Sequence, residues 1–226
     1  MPTKNYYTLI TSLPHLAPFS SAEHLPINRV RLDQRLHMLD TDHAAQLSRA
    51  EFFVVWLPTQ SGSDRIDIVH AYRTFMQQPL HSALREYVEF VVDQRTILSA
   101  LRIKESGLPL PQEDASWAAG RWSGWIKSHW DDQDLGLKQM YSWIEEAREL
   151  LRSKDVFGLE NLRLQQCWNK LTRIGSDNLF GFEAVVSFYF RWHILNQWLT
   201  HDAEKSKTAF QQLVNEVIHE KINTEN

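Results

Sequence analysis

The strongest apolar pattern in the chain lies at residues 180–199. Large apolar side chains recur there at helical spacing, and five of them define one face: Val185, Phe188, Trp192, Leu195 and Leu199. Glu183, Ser187 and Arg191 form a polar strip at four-residue intervals. A helix that is apolar almost all round must be covered by other helices, so the pattern predicts a central core helix. The two charged residues, and fewer apolar residues than the ~20 that cross a bilayer, exclude a membrane span.

The rest of the chain predicts further helices, so the expected fold is an all-α bundle of about eight helices. Apolar periodicity and helix breakers place the others near 28–39, 41–57, 65–76, 79–104, 135–152, 155–174 and from 200 onwards. Thr41 or Asp42 and Asp155 are the expected N-caps, and Pro79 is expected in the first turn of its helix. The helix at 135–152 is expected to turn Met140 inward.

An extended lead-in is expected at residues 1–27. Residues 5–12, with the sequence NYYTLITS, are rich in aromatic and β-branched side chains, as in a β-strand. No partner strand follows nearby, so this run is predicted to dock on the helical body as an extended segment. Residues 14–27 contain three prolines and predict an irregular connection.

A break near residue 107 suggests two helical lobes. Gly107 and the prolines at 109 and 111 interrupt the helical pattern. The first lobe is expected at 28–106, and the second at 107–226 around the core helix. One continuous domain is the alternative, because no long linker accompanies the break.

Composition narrows the class of protein. The chain has 226 residues with a net charge of −4, which argues against general affinity for nucleic acid. The single cysteine, Cys167, excludes an internal disulfide and fits a reducing compartment. The N-terminal residues lack the long apolar region of a secretory signal. These features predict a cytoplasmic protein.

Four tryptophans are concentrated in the segment 116–130: Trp117, Trp122, Trp125 and Trp130. They cannot all lie on one narrow helical face. A core where helices meet is the favoured interpretation, because aromatic side chains in helices usually pack inward. A partner surface, where tryptophan is enriched, is the alternative for some of them.

Two groups of residues have features of metal sites. Asp131, Asp132 and Asp134 gather oxygen ligands of the kind that Mg²⁺ or Ca²⁺ requires. Glu216 and His219 have the Glu-x-x-His spacing of di-iron bundles, but the chain has no second such motif. The simpler interpretation is a capped turn and a solvated helix face. An all-α metal-dependent enzyme using either group is the alternative function.

Other signs of catalysis are weak. His193 lies between Trp192 and Ile194, where a core histidine bonded to a neighbouring helix is the expected role. The sequence has no glycine-rich phosphate loop, nucleophile elbow or paired Cys-x-x-Cys motif. No catalytic residue and no cofactor are therefore expected.

Three blocks of sequence resemble a known family. They are YYTLITSLP at 6–14, HW at 129–130 with DLGL at 134–137, and FEAVV at 182–186 with RW at 191–192, WL at 198–199 and DAE at 202–204. Their order and spacing are similar to those of helical proteins encoded with bacterial V/A-type ATPase genes. Those proteins stand in the place of the ATPase's socket component, which is designated C in the V/A-type enzymes and d in the vacuolar enzyme.

The resemblance implies a non-catalytic coupling part. The socket component is an all-α, funnel-shaped protein that sits on the membrane rotor ring and receives the central stalk. The expected partners are therefore the central stalk and rotor ring subunits of a V/A-type ATPase, and the protein would lie peripherally on the inner membrane through that complex. This chain is shorter than the three-lobed socket component, so a reduced fold of two lobes is implied. Four aromatic residues are the candidate partner contacts: Tyr6, Tyr7, Trp125 and Trp130.

Overall fold

The described part of the protein is built from helices. A computed structural model describes residues 4–56, 68–111 and 119–201. The helices are α1 Tyr7–Ser12, α2 Arg29–Leu36, α3 Thr41–Glu51, α4 Ile68–Gln77, α5 Ser82–Glu105, α6 Ser123–Ser128, α7 Trp143–Arg152, α8 Val156–Asp177 and α9 at 182–201. A 3-10 turn lies at Phe19–Ser21, and a π-helical segment at Phe52–Trp56. These ranges contain no strand, so the all-α prediction is confirmed.

The N-terminal segment differs from the prediction. The expected β-type run at 5–12 is wrong, because residues 7–12 form α1. The backbone N–H of Tyr6 donates to the carbonyl of Phe180 over 2.7 Å, which fixes the start of α1 against the beginning of α9. Tertiary contact therefore overrides the strand preference of these side chains. Residues 13–28 are irregular apart from the 3-10 turn.

Residues 129–142 form a series of turns in place of the first part of a predicted helix. The helix expected from 135 begins only at Trp143, because Leu135 and Gly136 have positive φ angles of 56° and 65°. Such angles end a right-handed helix and favour glycine. A Cβ atom on Gly136 would lie 3.0 Å from the ring of His129. Met140, expected to point inward, is 61% exposed.

Several helix boundaries lie close to the predicted ones. Asp155 caps α8 as expected, accepting a hydrogen bond from the N–H of Gly158. Asp40 caps α3 in place of Thr41 or Asp42, and His81 caps α5, so Pro79 precedes that helix. Helix α8, expected to end near residue 174, continues to Asp177.

The buried apolar residues form two clusters. The first joins α1–α4, the first half of α5, the second half of α8, and α9. The second joins the second half of α5, α6, α7 and the start of α8. The helices α5 and α8 run through both clusters, so residues from before and after position 107 contribute to each. The proposed division into lobes at 107 stays a prediction.

Helix α9 lies in the first cluster. Val185, Phe188, Trp192 and Leu195 are buried, whereas Leu199 is partly exposed at its edge. The indole N–H of Trp192 donates to the carbonyl of Ile27 over 2.8 Å.

The polar strip of α9 packs against neighbouring helices. Ser187 is 1% exposed, and a Cβ atom on Gly175 of α8 would lie 2.7 Å from it. The guanidinium of Arg191 lies over the ring of Trp168, also on α8. Small residues and a cation–aromatic contact thus bring α8 and α9 close together. Within the three described ranges, no helix is both long and apolar enough to cross a membrane.

Candidate functional site

An exposed apolar surface lies where α1 meets the turn before α9. Tyr7 is 56% exposed, Leu179 65% and Phe180 39%. The rings of Tyr7 and Phe180 lie 4.8 Å apart. We call these three residues the aromatic patch. Clustered exposed side chains of this size are typical of protein contact sites.

Tyr6 lies beneath the aromatic patch and fixes its position. It is buried, so its predicted role as a partner contact is wrong. Its hydroxyl lies 2.6 Å from both Asp40 Oδ2 and His43 Nδ1, and the ring of His43 stacks on Phe182. Burial and the hydrogen bond to Asp40 raise the pKa of Tyr6 well above its usual range. The hydroxyl is therefore a fixed internal link.

The tryptophans of the second half have separate roles. Trp125 is 43% exposed and stacks on His129 at a centroid distance of 3.9 Å. Trp122 donates from its indole N–H to the Tyr141 hydroxyl over 2.9 Å. Trp130 is partly buried and Trp117 lies outside the described residues. Trp125 is thus the most exposed of the described tryptophans in this segment.

The acidic turn is a local structural element. Asp131 and Asp132 are exposed, and Asp134 accepts a hydrogen bond from the N–H of Gly136 over 3.1 Å. Among the described residues, no group of three or more His, Cys, Asp or Glu side chains is placed to hold a metal ion. Glu216 and His219 lie outside the described residues, and the metal-enzyme alternative as a whole stays a prediction.

A cavity of about 640 Å³ lies between α5, α8, α9 and the π-helical segment. Much of its wall is aliphatic, with six members that are valine or isoleucine: Val54, Val55, Val69, Val91, Val92 and Ile194. Arg95, Arg102 and Arg163 also line it, against one carboxylate, Glu160. With the histidines neutral, these described lining residues carry a net charge of +2.

Arg163 and Glu160 form a closed pair in the cavity wall. Arg163 Nε lies 2.8 Å from Glu160 Oε2 and its Nη2 lies 2.6 Å from Oε1. Gln197 of α9 donates to the same carboxylate over 2.8 Å. Although burial opposes the charge, the bonds from Arg163 keep the pKa of Glu160 below its usual range. The hydrogen bonds from Arg163 and Gln197 therefore satisfy the Glu160 carboxylate.

Arg95 has no such carboxylate. Its two terminal nitrogens donate to the backbone carbonyls of Phe53 and Val54 in the π-helical segment. Among the described residues, no acidic group lies within ion-pair distance of it. Burial, followed by the charge of Arg163, lowers the pKa of Arg95 to about 10. From the sequence alone, Arg95 is recognisable only as an arginine within the apolar stripe of α5. Its place in a cavity could not be predicted, because the other cavity walls come from segments distant in sequence.

A charged network borders the cavity beside α9. Glu51 Oε1 lies 2.9 Å from Arg29 Nη1 and 3.3 Å from His193 Nε2. Burial opposes the charge of Glu51, but hydrogen bonds from His193 and Arg29 lower its pKa to about 2. His193 thus makes contacts with neighbouring helices, and it also lines the cavity.

Asp93 is a second buried carboxylate, on the face of α5 near Arg121. Its Oδ1 accepts from the backbone N–H of Arg121 over 3.0 Å. Its Oδ2 lies 2.6 Å from Arg121 Nε in an ion pair and accepts no hydrogen bond. Burial outweighs these contacts and raises the pKa of Asp93 to about 6.

This raised pKa predicts a pH-dependent effect of Asp93→Asn. A carboxyl group whose pKa is raised by folding destabilises the folded state as it ionises, which here occurs between about pH 4 and pH 6. The variant removes this titration. The difference in free energy of unfolding, variant minus wild type, is therefore expected to rise with pH across that window. Urea unfolding at pH 4 and pH 7 tests this, and a difference that falls or stays constant would contradict it.

Comparison with known protein families gives one match. Residues 63–221, more than half of the chain, match the family described as "Protein of unknown function (DUF2764)". The chain belongs to this family. No curated protein and no solved structure matches the chain. The family description names neither an activity nor a partner.

Proposed function

We propose that this protein is a non-catalytic accessory or coupling component of a bacterial V/A-type ATPase. In this role it links the central stalk to the membrane rotor ring by protein contacts, and works in the cytoplasm at the membrane surface. The sequence blocks that resemble proteins encoded with such ATPases support the proposal.

The aromatic patch is the observation that carries the proposal. Two of the three resembling blocks meet beside it, because the Tyr6 ring of the first lies 6.4 Å from Phe182 of the third. The Tyr6 N–H also bonds to Phe180, two residues before the third block. Their meeting holds Tyr7 and Phe180 side by side at the surface. Rigid exposed aromatics lose little entropy on binding and provide anchors for a partner protein.

Co-purification of variants tests the contact. The tagged protein is purified from gently solubilised membranes, and retained subunits are identified by mass spectrometry. The double variant Tyr7→Ser/Phe180→Ser should reduce the retained ATPase subunits about tenfold or more, as loss of interface anchors does. The buried Tyr6 and its internal hydrogen bonds are unchanged in this variant, so the fold should be preserved.

The matched control replaces exposed apolar residues elsewhere. Val30 is 66% exposed and Val156 is 77% exposed, and neither belongs to the aromatic patch. Val30→Ser/Val156→Ser should retain ATPase subunits like wild type. If both double variants retain them equally, the patch is not the contact. If wild type retains none, the proposed function is wrong.

A further inference from the structure

The cavity between α5, α8 and α9 has the size and lining of a small-molecule site. Its volume of about 640 Å³ lies within the range of about 300–1,000 Å³ typical of such pockets. Aliphatic side chains form much of the wall, and a few charged groups are placed among them. This combination favours a ligand with an apolar body and one polar end.

The charges in the wall specify the sign of that polar end. Glu160 is satisfied by Arg163 and Gln197, so it is not available to Arg95. Arg95 therefore remains a partly buried cation without an acidic partner in the described part of the chain. Buried charges are normally paired, because their transfer out of water is costly.

Arg95 also has unused capacity to bind. A guanidinium carries five N–H donors in a planar fork, and the Phe53 and Val54 carbonyls account for two bonds. A carboxylate matches the remaining fork geometry and would neutralise the charge. The net charge of +2 on the described lining residues adds to the attraction for an anion.

We propose that the cavity binds an aliphatic carboxylate, with the carboxylate group on Arg95 and the chain along the valine-rich wall. Nothing in the proposed coupling role requires this site. The folded protein would bind a small amphiphilic acid in this cavity whether or not an ATPase partner is present.

Calorimetric titration with decanoate tests the proposal on the full-length protein. Wild type should bind one decanoate per chain. Decanol has the same chain length without the charge, and its affinity should be lower by a factor of about ten or more. The reason is that a hydrogen bond to a charged group contributes about a tenfold or larger change in affinity. Arg95→Met should weaken decanoate binding by a similar factor and abolish the preference over decanol.

The matched control is Arg85→Met. Arg85 also donates from two terminal nitrogens to backbone carbonyls, those of Met76 and Gln78, but does not line the cavity. Arg85→Met removes the same kind of arginine-to-carbonyl bonds as Arg95→Met but leaves the cavity wall unchanged. The decanoate affinity of Arg85→Met should therefore equal that of wild type. If Arg95→Met fails to fold, Ser99→Phe decides, because it fills the cavity and leaves Arg95 in place.

Two results would overturn the proposal. One is the absence of saturable decanoate binding to folded wild type. The other is equal decanoate affinity in wild type and in the folded cavity variants, which would place the ligand elsewhere. Loss of ATPase subunits in co-purification does not bear on either result, so the two proposals fail independently.

Discussion

Trp192→Ala is expected to lower the free energy of unfolding by about 3–5 kcal/mol, as large-to-small substitutions of aromatic core residues do. The side chain is 3% exposed in the middle of α9. Its removal leaves a cavity and also leaves the Ile27 carbonyl without the indole donor. Guanidinium unfolding should show a lower midpoint with an unchanged slope.

Trp192→Phe separates the two contributions. It keeps much of the apolar volume and removes the hydrogen bond to Ile27, so its cost should be clearly smaller than that of alanine. A loss below about 1 kcal/mol for Trp192→Ala would contradict the placement of α9 in the core, because such small effects are typical of surface positions.

Glu51→Gln is expected to lower the free energy of unfolding at pH 7 by about 2 kcal/mol, because hydrogen bonds to charged groups contribute about 1.5–3 kcal/mol. The change removes the carboxylate that joins Arg29 to His193. Arg29 is 43% exposed, so water compensates part of the loss.

The same substitution has a defined pH dependence. Folding lowers the pKa of Glu51 from 4.5 to about 2, so its stabilising effect is present above about pH 4.5 and is lost as the pH falls towards 2. The deficit of Glu51→Gln should therefore be constant near neutral pH and shrink in acid. Urea unfolding from pH 3 to pH 7 measures it.

Glu145→Gln is the matched control for Glu51→Gln. Glu145 pairs with Lys138 over 2.7 Å, but both side chains are more than half exposed. Exposed pairs contribute little, so this variant should resemble wild type at every pH. Equal effects of the two substitutions would show that the Glu51 network is not specially stabilising.

The sequence predicts what depends on local periodicity. The apolar spacing at 185–195 is enough to identify α9, because few side chains there can face water. Asp155 is recognisable as a cap because its short carboxylate reaches the N–H groups of the next turn. The predicted helix start at 135 is wrong because Leu135 adopts a left-handed conformation that its own identity disfavours.

The candidate sites require tertiary information. Tyr6 and Tyr7 have the same side chain, yet one is buried against Asp40 and the other is exposed beside Phe180. Arg95 interrupts the apolar stripe of α5 in the sequence, and its role emerges only when the π-helical segment, α8 and α9 surround it. Contacts between residues so distant in sequence leave no local pattern.

Deletion of the gene tests the coupling role most directly. Membranes from a strain lacking the protein are compared with wild-type membranes for the catalytic head subunits of the V/A-type ATPase. The proposed role predicts that the head subunits move from the membrane to the soluble fraction, while the rotor ring stays in the membrane, and that the wild-type gene restores them. An unchanged amount of membrane-bound head, with normal ATP-driven ion transport, would contradict it.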